Sequence, residues 1–137
     1  MSKPVVEGCE LELESALDSD PSGDVEFTTP ASQTEKIDSH GIYSGSQTVS
    51  ITNYIGGPIK NNPETGTELV TPGVGVGTMN PSNQVMKASG NFVITDEDTC
   101  VVTVTGMVSI YGSPPTAAVD YVTVKVSDPG QDTTDIS

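Results

Sequence analysis

Short runs of alternating apolar and polar residues are the feature of this sequence that most limits its fold. The clearest run covers residues 101–111, which follow a glycine-rich, proline-bounded segment and an acidic turn at 96–98. One face of the run would carry Val102, Val104, Val108 and Ile110, and the other Thr103, Thr105, Met107 and Ser109. A period of two is typical of a half-buried β-strand. We therefore predict a strand here, with the acidic turn reversing the chain as a hairpin from a preceding run at 91–95.

Similar runs recur along the chain, separated by Gly, Pro, Asn, Asp and Ser, which favour turns. They lie at residues 10–14, 25–29, 48–55, 67–70 and 121–126. At 10–14, Leu11 and Leu13 alternate with glutamates, which favours a strand, although the composition also permits a short helix over 9–17. The pattern predicts an all-β fold of seven or eight short strands with Gly/Pro turns, arranged as a sandwich, a barrel or a β-helical prism.

The spacing of these runs predicts one β-rich domain over residues 1–130, followed by a flexible C-terminal tail over 131–137. Residues 31–47 are polar and contain the only histidine, His40. No strong internal repeat is evident. The fragments PVVEGCELE and QVMKASGNFVI share only a loose rhythm of apolar residues and glycine.

The chain is strongly acidic, with a formal net charge of −14 from 19 Asp and Glu against five Lys. A nucleic-acid partner is not expected, because binding requires cations that neutralise phosphates. Stable membrane anchoring is not expected either, since anionic lipids repel such a surface and no apolar run reaches transmembrane length. The acidity favours a solvated surface; calcium binding or a basic partner is the alternative. The N-terminus is not typical of a signal peptide, so synthesis in the cytoplasm is expected.

Two cysteines, Cys9 and Cys100, are too few for a disulfide framework. We expect two separate small hydrophobic side chains, and a Cys9–Cys100 disulfide remains the alternative. Zinc needs about four ligands. Cys9, His40 and Cys100 with one carboxylate could supply them only if the fold gathers them, and their spacing does not favour this. These three residues are the weak candidates for a structural metal ion, and no other cofactor is predicted.

No catalytic motif is recognisable, so the chain is not expected to be an enzyme. Gly73–Gly77 lacks the Lys-Ser/Thr of a phosphate-binding loop, and Pro81 follows where a helix should begin. We interpret this segment as extended chain that lets backbones approach closely. His40 lies between Ser39 and Gly41 without a nucleophile motif. The carboxylates lie at alternating strand positions or in acidic turns, where we expect them to be solvated.

Two stretches, MSKPVVEGCELE and PGVGVGTMNPSNQVMKASGNFVITDEDTC, give the chain a resemblance to a family. Together with Pro21-Ser22 and Val25, they resemble the beginning and the middle of PAAR-like proteins. The resemblance implies a small β-rich cone that caps the trimeric spike of a contractile tail or injection particle. The family often holds a metal near its point with several histidines and a cysteine. This chain has one histidine, so no ligand residue is carried over.

The resemblance implies a non-enzymatic spike tip that assembles into a virion or secreted particle and helps to pierce an envelope. Its partner would be the trimeric spike or baseplate protein of the same particle. A capsid decoration or baseplate accessory protein is the second hypothesis, and it predicts a self-trimer or a lattice contact. A small carbohydrate- or calcium-binding β module is the third, and the shortage of aromatic residues, 4% of the chain, counts against sugar stacking.

Overall fold

The computed structural model describes residues 2–15, 22–55, 68–69, 73–109 and 116–135, and their regular structure is entirely β-strand. The strands are β1 (Glu10–Ser15), β2 (Ser22–Phe27), β3 (Lys36–Ile37), β4 (His40–Gly41), β5 (Gln47–Ile55), β6 (Glu68–Leu69), β7 (Gly73–Met79), β8 (Lys87–Ala88), β9 (Asn91–Phe92), β10 (Thr99–Ser109) and β11 (Thr116–Asp128). The predicted all-β class is confirmed. Within these ranges there is no helix long and apolar enough to span a membrane.

Most of the strands form one nearly closed antiparallel sheet. Its order is β1-β11-β10-β7-β5-β2, and β6 pairs with β10 beside this path. The two end strands approach each other at the closure, since a Cβ atom on Gly23 of β2 would lie 3.4 Å from Leu13 Cδ1 of β1. Two small hairpins, β3-β4 and β8-β9, lie outside the main sheet.

The inward faces of the main sheet enclose the larger hydrophobic core. Its buried members are Val5, Val49, Ile51, Tyr54, Met79, Ile94, Cys100, Val102, Val104, Val122, Val124 and Val126. The outward residues of β10, Val101, Thr103 and Thr105, are exposed. This burial confirms the alternation predicted for the described part of 101–111.

The predicted strands at 10–14, 48–55 and 121–126 are confirmed as β1, β5 and β11, and the helical alternative over 9–17 is wrong for the described residues 9–15. The predicted hairpin across the acidic turn is also wrong. β10 pairs with β11, β7 and β6, whereas Asn91–Phe92 pairs with Lys87–Ala88. The turn at 96–98 therefore joins β10 to a segment, 93–95, that pairs with other parts of the chain and not with β10.

β7 is the glycine-rich strand, and it pairs with both β5 and β10. Cβ atoms on Gly73 and Gly77 would lie 2.6 Å from Val104 Cγ1 and 2.8 Å from Val102 Cγ2. A Cβ on Gly75 would meet the carbonyl oxygen of Thr103 as well. The absence of side chains therefore lets β10 approach β7 closely, which confirms the close backbone approach predicted for Gly73–Gly77.

A second, smaller core lies under the two small hairpins. It contains Val6, Ile37, Ile42, Ala88 and Val93, with Met86 packed against them. Two of these residues, Ile37 and Ile42, come from 31–47, a segment of polar composition. The polar composition hides the alternation because each strand of the hairpin is only two residues long.

The sequence predicts a flexible tail over 131–137, but its described part, 131–135, is packed against the N-terminal residues. Gln131 is 6% exposed and donates from Nε2 to the Pro4 carbonyl oxygen at 3.0 Å. Lys3 Nζ lies 3.1 Å from Asp132 Oδ1 and 2.9 Å from Asp135 Oδ1. Residues 136 and 137 lie outside the described part of the chain.

Candidate functional site

The structure does not gather the three metal candidates. His40 is exposed in the hairpin β3-β4, Cys9 is half-buried just before β1, and Cys100 is buried in β10. Both thiols are free. Among the described residues, no group of three or more His, Cys, Asp or Glu side chains is arranged to hold a metal ion.

Cys9 lines a small cavity of about 150 Å³ at the closure between β1 and β2. The ring of Tyr43 lies beside this cavity and packs against Phe27, with the ring centroids 4.7 Å apart. Burial raises the pKa of Cys9 to about 11, and it raises the pKa of Cys100 and Tyr43 as well. A thiol that stays protonated at neutral pH is a poor nucleophile and a poor metal ligand, which favours a packing role for Cys9.

The acidic turn at 96–98 contains one carboxylate that is not solvated. Asp98 is 3% exposed, and its two oxygens accept hydrogen bonds from the backbone N–H groups of Ser82 (3.0 Å) and Thr95 (2.8 Å). The hydroxyl groups of the same two residues donate to it as well. The prediction of a solvated turn is therefore wrong for Asp98, because this carboxylate satisfies buried donors and fixes the entry into β10.

Three backbone segments meet in a cyclic arrangement between the two cores. Val5 N–H donates to the Ile94 carbonyl oxygen at 2.9 Å, Ile94 N–H donates to the Tyr43 oxygen at 2.9 Å, and Tyr43 N–H donates to the Val5 oxygen at 3.0 Å. Each segment is therefore both donor and acceptor to its neighbours in one closed ring. We call residues 4–6, 42–44 and 93–95 the cyclic layer.

Three antiparallel β-bridges repeat the same order. Val6 bridges to Ile42, Ser44 bridges to Val93, and Pro4 bridges to Thr95. In each bridge, the residue after the ring member of one segment meets the residue before the ring member of the next. The three segments are thus equivalent by position, and their arrangement has approximate three-fold symmetry within a single chain.

A capping side chain accompanies each segment of the cyclic layer. Ser32 Oγ accepts from the N–H groups of Thr34 and Glu35, while Asn83 Oδ1 accepts from those of Val85 and Met86. Gln131 Oε1 accepts in the same way from Thr133 and Thr134. In all three cases, a side-chain oxygen caps the N–H groups two and three residues further along, a common turn stabilisation.

The same three residues also hold the cyclic layer in place. The backbone N–H of Ser32 donates to the Ile42 carbonyl oxygen at 2.8 Å. The amide nitrogens of Asn83 and Gln131 donate to the carbonyl oxygens of Val93 (2.6 Å) and Pro4 (3.0 Å). Serine has no side-chain amide, so its backbone makes the equivalent bond.

This arrangement of three equivalent segments is not predicted from the alternation of apolar and polar residues. The available signal was a proline two positions before each capping residue, at Pro30, Pro81 and Pro129. The capping residues themselves are Ser, Asn and Gln, so the shared contact leaves no shared residue type to detect.

We define the three structural units by their residues: unit A is 30–44, unit B is 81–95, and unit C is 129–135 together with 2–6.

Comparison of the chain with protein-family models, with curated proteins and with solved structures finds no match.

Proposed function

We propose that this protein is a non-enzymatic structural component, a PAAR-like tip that caps the trimeric spike of a contractile tail or injection particle. The observation that carries the proposal is the cyclic layer, in which one chain presents three positionally equivalent units about an approximate three-fold axis. A single chain with this arrangement can offer one similar surface to each of three identical subunits. The resemblance of the sequence to PAAR-like proteins points to the same partner.

The packing suits a part that must withstand mechanical load. The main sheet is nearly closed, and the glycines of β7 draw it tightly onto β10. At the cyclic layer, the backbone groups of Val5, Tyr43 and Ile94 bond to one another across three segments that are distant in sequence. A compact body of this kind has few ways to open locally, because most of its elements are held by long-range pairing.

The proposal is tested by the stoichiometry of a complex with a spike protein. The chain is co-expressed with a candidate trimeric spike protein from the same genome, and the purified complex is weighed by native mass spectrometry. We expect the isolated chain to be a monomer and the complex to contain one copy on three spike subunits. An unrelated trimeric β-protein, which is expected not to bind, is the control.

Three results would overturn this function. One is the absence of a complex with the spike protein under conditions in which the chain is folded by circular dichroism. Another is a stable trimer of the isolated chain, which would favour the capsid decoration or baseplate accessory instead. A complex with three copies on three subunits would also contradict the proposal, since symmetry matching by one chain would then be unnecessary.

A further inference from the structure

Units A and B contain the same hairpin. In unit A, Lys36 and Ile37 pair with Gly41 and His40, and in unit B, Lys87 and Ala88 pair with Phe92 and Asn91. Each turn consists of two residues with positive φ, and these are Asp38 (53°), Ser39 (70°), Ser89 (52°) and Gly90 (83°). Two consecutive positive φ angles are typical of a type I′ hairpin turn.

In unit C, two segments that are distant in the sequence occupy the positions that one continuous segment occupies in units A and B. Gln131 corresponds to Ser32 and Asn83 by its capping bonds, and Pro4 corresponds to Ile42 and Val93 by its bridge and by the bond it accepts. Asp135 lies four residues after Gln131, as Lys87 lies four residues after Asn83. Lys3 immediately precedes Pro4, as Phe92 immediately precedes Val93. Asp135 and Lys3 therefore correspond to the paired residues Lys87 and Phe92. The ion pair of Asp135 and Lys3, at 2.9 Å, occupies the cross-strand position at which Lys87 lies over the Phe92 ring in unit B.

The long strands follow the same order. Unit A lies between β2 and β5, unit B between β7 and β10, and unit C between β11 and β1. The two strands that flank each unit form a set, and they pair with each other. The sets also follow one another around the sheet, since β5 pairs with β7 and β10 pairs with β11, while β1 meets β2 at the closure.

We infer that the fold consists of three copies of one strand–hairpin–strand block, and that unit C is split between segments at opposite ends of the sequence. Among the described residues, noncovalent contacts hold its two halves together. These include the Gln131–Pro4 bond, the Val6 N–H bond to the Pro129 carbonyl oxygen at 3.0 Å, and the ion pairs of Lys3. The inference does not depend on the proposed function.

Because the units are equivalent, the break in unit C should be transferable to unit A. A circular permutant joins residue 135 to residue 2 through Ala-Asn-Gly, which copies the length of 88–90 in unit B, and opens the chain between Asp38 and Ser39. We expect a folded protein with the parent's circular dichroism spectrum and a thermal midpoint within about 5 °C of the parent, the shift that a change of about 1 kcal/mol in stability produces. The matched control uses the same link and opens β10 between Val104 and Thr105, and it should not fold.

A second variant separates the link from the new break. The chain is closed into a ring through the same Ala-Asn-Gly link, without any opening. We expect its thermal midpoint to rise above that of the linear chain, because closing a loop restricts the unfolded state. The inference is overturned if the ring is less stable than the linear chain, if the Asp38/Ser39 permutant does not fold, or if the β10 permutant folds equally well.

Discussion

At the scale of single residues, Asp98 departs most from its expected role. Carboxylates in acidic turns are usually solvated, yet this one is buried and accepts bonds from Ser82 and Thr95. A buried carboxylate is stable only where donors surround it. Asp98 therefore couples the beginning of unit B, at Ser82, to its end, at Thr95.

Replacing Asp98 tests this role. In Asp98→Asn, one of the two acceptor oxygens becomes an NH₂ group that faces an N–H donor. We expect the free energy of unfolding to fall by about 1–3 kcal/mol, the typical cost of leaving buried groups unsatisfied. Urea unfolding followed by far-ultraviolet circular dichroism measures the loss. The exposed neighbour provides the control Glu97→Gln, which should change stability by less than about 0.5 kcal/mol; equal effects for both variants would contradict the assigned role.

The thiol of Cys9 has a pKa of about 11, against an ordinary value of 9.0, because burial disfavours the thiolate. At pH 8, the folded chain therefore holds about a hundredfold less Cys9 thiolate than the unfolded chain. We expect iodoacetamide to label Cys9 slowly in the folded Cys100→Ser variant, and the rate to rise with pH until about 11. The same variant unfolded in urea is the reference, and similar rates in both states at pH 8 would contradict the burial.

At the scale of elements, β7 shows how small side chains decide strand pairing. Its glycines face Val102 and Val104 of β10, while the outward Val74 and Val76 are exposed. Glycine usually weakens a strand, but here the close approach of the neighbouring backbone requires it. In β7, therefore, the inward positions are glycine and the outward positions carry the larger side chains, which is the reverse of the usual pattern in a half-buried strand.

Gly75→Ala should strain this contact. The added Cβ would lie 2.9 Å from Val102 Cγ1 and meet the Thr103 carbonyl oxygen, which belongs to the backbone and cannot move aside cheaply. Overpacking of this kind costs about 1–3 kcal/mol, and guanidinium unfolding should show a loss of that size. Val76→Thr, at a side chain 66% exposed, is the control and should remain within about 0.5 kcal/mol of the parent. A neutral Gly75→Ala would mean that β7 and β10 can separate without cost.

At the scale of the whole molecule, both ends of the described chain contribute to one unit. Gln131 makes this possible, because its amide spans the two segments and is buried between them. The segment at 131–135 is therefore part of the fold.

Gln131→Ala should weaken the whole protein. The change removes the bonds to Pro4 and Thr134 and leaves the N–H groups that Gln131 caps without their acceptor. We expect a loss of about 1–3 kcal/mol in the free energy of unfolding, in a single cooperative transition. The control Asp132→Asn affects a side chain that is 95% exposed, and it should cost less than about 0.5 kcal/mol. A separate early transition in Gln131→Ala would instead indicate that unit C folds independently of the sheet.

The sequence by itself determined the all-β class, the strands β1, β5, β10 and β11, and the close approach at Gly73–Gly77, because alternation and glycine content act locally. Tertiary structure alone decided which strands pair, that Asp98 is buried and that three units surround one axis. Ser32, Asn83 and Gln131 explain the difference: each caps equivalent backbone groups with a different side chain. The repeat is therefore a repeat of hydrogen-bond geometry, and one of its copies exists only when distant parts of the chain meet.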